Sequence, residues 1–252
     1  MSKTVYIILT AVALMTLAGC GKQSVKDERE VMPERIEGPV VVVLIFDHTT
    51  WWTRPDGRGG QLSSAAKRWI GDRLLPWLQG SDIVLTMAIG PRERADGDIL
   101  STYDLPGTGR YDPLFLSALQ GLKDDIQKMA QRYPNERGSD IWGTLDHAAD
   151  LLNNSVLGDR KRIVILFTDF CADSPGPRQC VAHKPVACFP GGTHALALFV
   201  PRRGMSSTAW AKFRQDVRAK LRAMNVDAEP LEAAQSELLN LKTALPRPAA
   251  LW

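Results

Sequence analysis

With 252 residues, 44% of them hydrophobic, the chain has enough apolar material to build a sizeable domain around its own core, which excludes a disordered polymer. The formal net charge of +3 is small and spread along the sequence, so no strongly charged partner such as nucleic acid follows from it.

The chain opens with a leader. Lys3 precedes an apolar stretch from Val5 to Leu17, shorter than the roughly 20 residues that cross a bilayer core of ~30 Å and suited to the central region of an export signal. The stretch ends in Leu17-Ala18-Gly19-Cys20, a small pair before a cysteine that resembles the bacterial lipobox. The resemblance implies that residues 1–19 are removed as a signal peptide and that the Cys20 thiol is acylated, with palmitate as its label. The mature protein is then a lipoprotein anchored in the bacterial cell envelope, facing the periplasm. Gly21 stands where an aspartate would resemble the inner-membrane retention signal, which favours the outer membrane. An uncleaved membrane anchor with an incidental cysteine is the alternative. Residues 20–38 are charged, poor in aromatics and aperiodic, as suits a tether.

The folded domain is expected over 39–245, with 246–252 as a tail. Pro39 to Phe46 (PVVVVLIF) is an unbroken apolar run ending at Asp47, the pattern of a strand buried on both faces of a parallel sheet. After the turn-rich loop 54–60, Leu62, Ala66, Trp69, Ile70 and Trp77 have helical spacing. Asp82 to Gly90 predicts a second strand, and Ile99 to Leu105 a more polar edge strand. Phe115, Leu119, Leu122, Ile126, Met129 and Tyr133 mark an amphipathic helix ending near Pro134, and a second helix runs from about Ile141 to Asn153. Arg162 to Thr168 predicts a buried strand ending at Asp169, and Ala195 to Val200 another. The Cys/Pro/Gly-rich segment between them, 170–193, is long for a connection without helical periodicity. A helix from Ser206 or Ser207 to about Met224, a short strand over Val226 to Ala228 and a helix from Leu231 to Thr243 complete the pattern. Buried strands alternating with helices predict an α/β fold: a doubly wound, mostly parallel central sheet with helices on both faces, three-layered and Rossmann-type, with sites at the carboxyl ends of the strands.

Asp47 and Asp169 both fall at such ends. The local sequences are Asp47-His48-Thr49-Thr50-Trp51, Gly138-Ser139-Asp140-Ile141 and Phe167-Thr168-Asp169-Phe170. Their order in the chain, from about Pro39 to Thr243, resembles the von Willebrand factor A (vWA) domain. That family's metal-ion-dependent adhesion site combines a D-x-S-x-S loop after the first strand, a threonine before a helix and an aspartate after a later strand. By position the resemblance assigns metal-ligand roles to Asp47, Thr49, Ser139 and Asp169, with Mg²⁺, or also Mn²⁺, as the cofactor. Oxygen donors with retained waters suit such a hard ion. Trp51 stands where the second serine belongs, and an indole donates no oxygen to a metal; Thr50 is adjacent.

The resemblance implies recognition of another envelope protein rather than catalysis. A metal-free scaffold in an envelope assembly and an envelope hydrolase are the alternatives. Trp51 and Trp52, on the same loop, suit either a partner anchor or a cover for the core. No G-x-S-x-G nucleophile elbow is present, and of His48, His147, His183 and His194 only His48 adjoins the predicted site. No Gly-rich dinucleotide fingerprint follows Asp47. Cys171, Cys180, His183, Cys188 and His194 are zinc-ligand types but match no standard zinc spacing. In an oxidising compartment a disulfide among Cys171, Cys180 and Cys188 is expected, its pairing left open: Cys180 with Cys188, or Cys171 with either. Lys212, Arg214, Arg218, Lys220 and Arg222 read as a solvated helix face, with anionic lipid headgroups or an acidic partner surface as the other reading.

Overall fold

A computed structural model of the chain describes residues 36–47, 66–89, 99–132, 140–172, 179–180, 187–198, 205–228, 230–232 and 239–247. The chain divides into two units, Met1–Pro33 and Glu34–Trp252, and every described element belongs to the second. The predicted leader, Cys20 and the tether as far as residue 35 lie outside the described residues, as do Thr49, Trp51, Trp52 and Ser139. Among the described residues no helix is long and apolar enough to cross a membrane.

Strands β1 (Val40–Asp47), β2 (Ile83–Ile89), β3 (Ile99–Asp104), β4 (Lys161–Phe167) and β7 (His194–Leu198) form a five-stranded sheet in the order β3-β2-β1-β4-β7. Strands β5 (Cys171–Ala172) and β6 (Gln179–Cys180) form a separate antiparallel pair. β1 runs parallel to both neighbours, with Val41 opposite Ile83 on one side and Arg162 on the other. β7 is parallel to β4, and β3 pairs antiparallel on the opposite edge, as its polar composition predicts. The architecture is therefore the expected mostly parallel, three-layer α/β fold.

The unbroken apolar run of β1 is explained by cover on both faces. Val40, Val42, Leu44 and Phe46 join one core with Trp69, Ile70, Leu74, Phe115 and Leu122. Val41, Val43 and Ile45 join the other with Ile141, Leu145, Trp210, Phe213 and Val217. Val40 through Ile45 are all 0% exposed. Burying each such side chain fully contributes about 1.5–3 kcal/mol.

Among the described residues, helical elements and a 3-10 turn (Ser155–Leu157) flank the sheet. α1 spans residues 66–74 and ends in the π-helical turn Ile70–Leu74, closed by Leu75 N–H donating to Ile70 O at 2.9 Å. α2 (Pro113–Arg132) starts at a proline, whose missing N–H costs nothing there, after Asp112 accepts from Leu114 N at 2.7 Å. Ser101 Oγ and Tyr103 O–H both donate to its Asp125, at 2.7 and 2.5 Å, tying edge strand to helix. Burial and the Asp125 carboxylate push the Tyr103 phenol up to about 12. α3 (Ile141–Leu152) and α4 (Ser207–Ala223) cover the other face, and α5 (Leu241–Ala244) returns to the first.

Near the carboxyl terminus the described residues depart from the expected elements. Val226 to Ala228 is not a strand: Val226 N–H donates to Leu221 O and Asn225 N–H to Arg222 O, with Asn225 at φ 67, so these residues close α4 in a left-handed cap. Leu231 is not helical: its N–H donates to Ala197 O of β7 at 3.0 Å. Residues 233–238 of the expected helix lie outside the described residues, and Leu241–Ala244, where Asn240 caps Lys242, is helical. The predicted tail is anchored at its start. Arg247 donates to both Asp82 oxygens at 2.6 and 3.0 Å and lies 4.7 Å over the Trp77 ring. Ile36 N–H donates to Pro246 O at 2.8 Å, joining the residue ahead of β1 to this segment.

Candidate functional site

The sheet order fixes where a site belongs. From β1 the chain winds outward to β2 and β3, then returns to β4 on the other side of β1 and on to β7. The strand order thus reverses between β1 and β4, and at such a switch point the crevice opens beyond the carboxyl ends of the strands. β1 ends at Asp47 and β4 at Phe167, which lies opposite Phe46. Asp47 and Asp169 therefore stand on adjacent strand ends at one edge of the sheet. Both are buried, at 4% and 8% exposed.

A third side chain, to which the sequence assigns no role, ties Asp47 to the turn that carries Asp169. Thr168 Oγ1 donates to Asp47 Oδ2 at 2.9 Å and accepts from Phe170 N–H at 3.1 Å. It spans β1 and the turn that carries Asp169. No local pattern marks it, because its partner Asp47 lies 121 residues away on the neighbouring strand.

Phe170 holds this turn in place. Its φ of 53 lies in the left-handed region that a bulky residue enters only under constraint, at a cost of about 1–3 kcal/mol. The constraint is packing: Phe170 is 0% exposed, its ring centred 5.9 Å from that of Trp142 in the first turn of α3. One residue after Asp169 the chain is thus pinned into the core.

α3 enters at the same edge. Asp140 caps it, accepting from Gly143 N–H at 3.0 Å, while Thr144 Oγ1 donates to Asp140 O at 2.9 Å. A Cβ at position 143 would stand 2.5 Å from Asp140 Oδ2, so any other residue there would push the capping carboxylate aside. Ser139, the predicted ligand that precedes Asp140 in sequence, lies outside the described residues.

Of the four predicted metal ligands, two are described, and the fold brings these two to one rim. Thr49 and Ser139, like Trp51 and Trp52, lie outside the described residues. Among the described residues no group of three or more His, Cys, Asp or Glu side chains is gathered for a metal. A site of the predicted kind has a different donor set, two carboxylates completed by hydroxyls and water, and buried oxygens of Asp47 and Asp169 fit the carboxylate half of it.

The remaining candidates separate from this edge. His147 is half-buried on α3 and His194 begins β7, whereas His48 and His183 are outside the described residues. The basic stripe on α4 is not simply solvated. Lys220 Nζ sits 4.8 Å over the Trp142 ring, and burial there lowers its pKa below the ordinary lysine value. Arg218 and Arg222 both close on Asp227 at 2.7–3.0 Å, and their hydrogen bonds hold its carboxyl well below the usual carboxylate range. Cavities of about 340 Å³ lie between α1 and α2, beside Lys67 and Lys123, and along α4, beside Arg214 and Arg218; neither reaches Asp47 or Asp169.

No family model matches this chain, and no curated protein does either. Solved structures are similar to it only at low identity and with TM-scores below 0.5. A pilus adhesin, SpaC, from Lactobacillus rhamnosus GG is 14% identical, with a TM-score of 0.46 over 82% of this chain and 30% of its own. Proximal thread matrix protein 1 from the mussel byssus, in a form with a zinc-occupied MIDAS motif, is 14% identical, with a TM-score of 0.44 over 84% of this chain and 48% of its own. An aerotolerance-related membrane protein from Bacteroides fragilis is 10% identical, with a TM-score of 0.41 over 81% of this chain and 98% of its own. The chain thus spans under a third of the adhesin and about half of the byssus protein.

Proposed function

We propose that this chain is an envelope lipoprotein, anchored through Cys20, whose vWA-like domain binds another envelope protein through a divalent cation at the carboxyl edge of β1 and β4. Asp47 and Asp169 supply the carboxylates, Thr49 and Ser139 the hydroxyls, and Mg²⁺ or Mn²⁺ the charge that an acidic group of the partner meets. The observation that carries this reading is the position of the two buried aspartates on adjacent parallel strands at the switch point. Thr168 orients Asp47, and Phe170 fixes the turn that presents Asp169. Trp51 and Trp52, near Asp47 in sequence, are assigned to the partner contact. The role is binding, not turnover.

One observation favours a second reading, a metal-free scaffold. The Thr168 hydroxyl already satisfies one oxygen of Asp47, which a purely structural carboxylate would require. Calorimetric titration of the detergent-solubilised chain with Mg²⁺ and Mn²⁺ separates the two. The cation reading expects saturable binding that disappears in Asp47→Ala and Asp169→Ala; no binding, or binding that survives both, leaves the scaffold. Crosslinking in native envelopes with and without chelator tests the partner. Palmitate label that persists in Cys20→Ala would refute the anchor, and turnover in a broad hydrolase screen would overturn the non-enzymatic role.

A further inference from the structure

We propose that Cys171 and Cys180 are joined by a disulfide that clasps the segment following Asp169, and that Cys188 stays a free thiol. The sequence permits three pairings among these cysteines, and the fold separates them. β5 and β6 pair antiparallel with Cys171 directly opposite Cys180. Directly opposed residues in an antiparallel pair have Cα atoms about 4.5–5.5 Å apart, inside the roughly 4.4–6.8 Å that a disulfide spans.

Cys188 belongs to the other end of the domain. Its carbonyl accepts from Asn153 Nδ2 at 2.9 Å, its Sγ donates to Ala223 O at 3.7 Å, and the next residue, Phe189, donates its N–H to Met224 O at 2.9 Å. Asn153 and Met224 are the C-caps of α3 and α4, at the amino edge of the sheet. Cys171, in contrast, follows Phe170, whose ring packs on Trp142 in the first turn of α3. The two cysteines thus flank opposite ends of a 12-residue helix, about 18 Å long, whereas a disulfide needs Cα atoms within about 7 Å. A bridge from Cys188 to either partner would require dismantling one edge of the fold.

Closure consumes an external oxidant, the disulfide of an oxidised dithiol protein in the compartment where the chain folds. One thiolate of the pair attacks that disulfide to give a mixed disulfide, and the second thiolate displaces the oxidant's sulfur. The Sγ–Sγ bond forms, and the two thiol hydrogens leave as two protons and two electrons on the oxidant, which departs as its dithiol. The proposal stands independently of the cation reading, because it rests on strand register and the position of Cys188.

The test is peptide mapping of the full chain, isolated from the envelope of an exporting host with an alkylating agent present throughout to quench exchange. The expected result is a non-reduced crosslink between the Cys171 and Cys180 peptides with Cys188 alkylated, and an unchanged crosslink in Cys188→Ser. In Cys171→Ser the thiol of Cys180 should become alkylatable without a new crosslink to Cys188. A crosslink containing Cys188, or alkylation of all three cysteines in the unmutated chain, overturns the proposal.

Discussion

Two buried aspartates stand at opposite edges of the same sheet and are matched in different ways. At the amino edge Asp82, 0% exposed, accepts from Val40 N–H at 3.0 Å, from Gln79 N–H at 2.8 Å and from the Arg247 guanidinium at 2.6 and 3.0 Å. At the carboxyl edge Asp47 accepts a neutral hydroxyl from Thr168, beside a turn that carries a second carboxylate. A carboxylate locked by a guanidinium and two amides joins the start of β1, the start of β2 and the end of the chain into one structural knot. The same residue type, equally buried, is structural at one edge and a candidate ligand at the other.

The sharpest way to break this comparison is Arg247→Ala. Leaving Asp82 buried without its cation should cost about 3–5 kcal/mol in urea unfolding while leaving any Mg²⁺ affinity of the folded fraction unchanged. Asp47→Ala should do the reverse, abolishing the cation response at a much smaller stability cost; equal losses in the two variants would erase the distinction between the edges. Next in size is the clasp near the carboxyl edge. For a closed loop of about 10 residues, replacing both Cys171 and Cys180 by serine should cost about 3 kcal/mol and lower Tm by about 5–10 °C, with Cys188→Ser as the silent control.

Thr168→Val should follow, at about 1.5–3 kcal/mol, since it removes a hydrogen bond to a buried carboxylate and the acceptor of Phe170 N–H. Thr168→Ser should restore most of the loss; if it does not, packing of the methyl group rather than the hydroxyl holds the turn. The smallest effect belongs to a second arginine–aspartate cluster beyond the end of α4. Asp227 pairs with Arg218 and Arg222 as Asp82 pairs with Arg247, but its side chain is 52% exposed, so Asp227→Asn should cost less than about 1 kcal/mol. Because its pKa is depressed in the folded state, that contribution is present above the ordinary carboxylate pKa of about 4 and is lost as pH falls through the folded value. Wild type and variant should therefore converge in acid melts.

Legibility in the sequence followed the reach of the forces involved. The strand runs, the two long helices and their apolar faces were readable because burial imposes a period on neighbouring residues: β1 without alternation, α3 with Ile141, Leu145, Ala148 and Leu152 on one side. Asp47 and Asp169 were readable as strand-end residues because each directly follows such a run. Thr168 was missed because its role depends on β1 lying beside β4, which no local period encodes. Val226 was misread as a strand residue because an apolar residue after a helix reads the same whether it joins a sheet or seals a helix cap. Arg247 looked like tail because its partner is 165 residues away.

By itself, the sequence determined the α/β class, the order of the elements and the two carboxylates that end buried strands, since local burial patterns and turn chemistry are enough for these. Tertiary structure alone decided which strands are neighbours, hence that Asp47 and Asp169 share an edge, that Cys171 lies opposite Cys180 while Cys188 sits at the far end, and that Asp82 is closed by Arg247. The physical reason is that hydrogen-bond register and charge pairing act across tens of residues of chain, and they take effect only once the two cores have closed on both faces of β1.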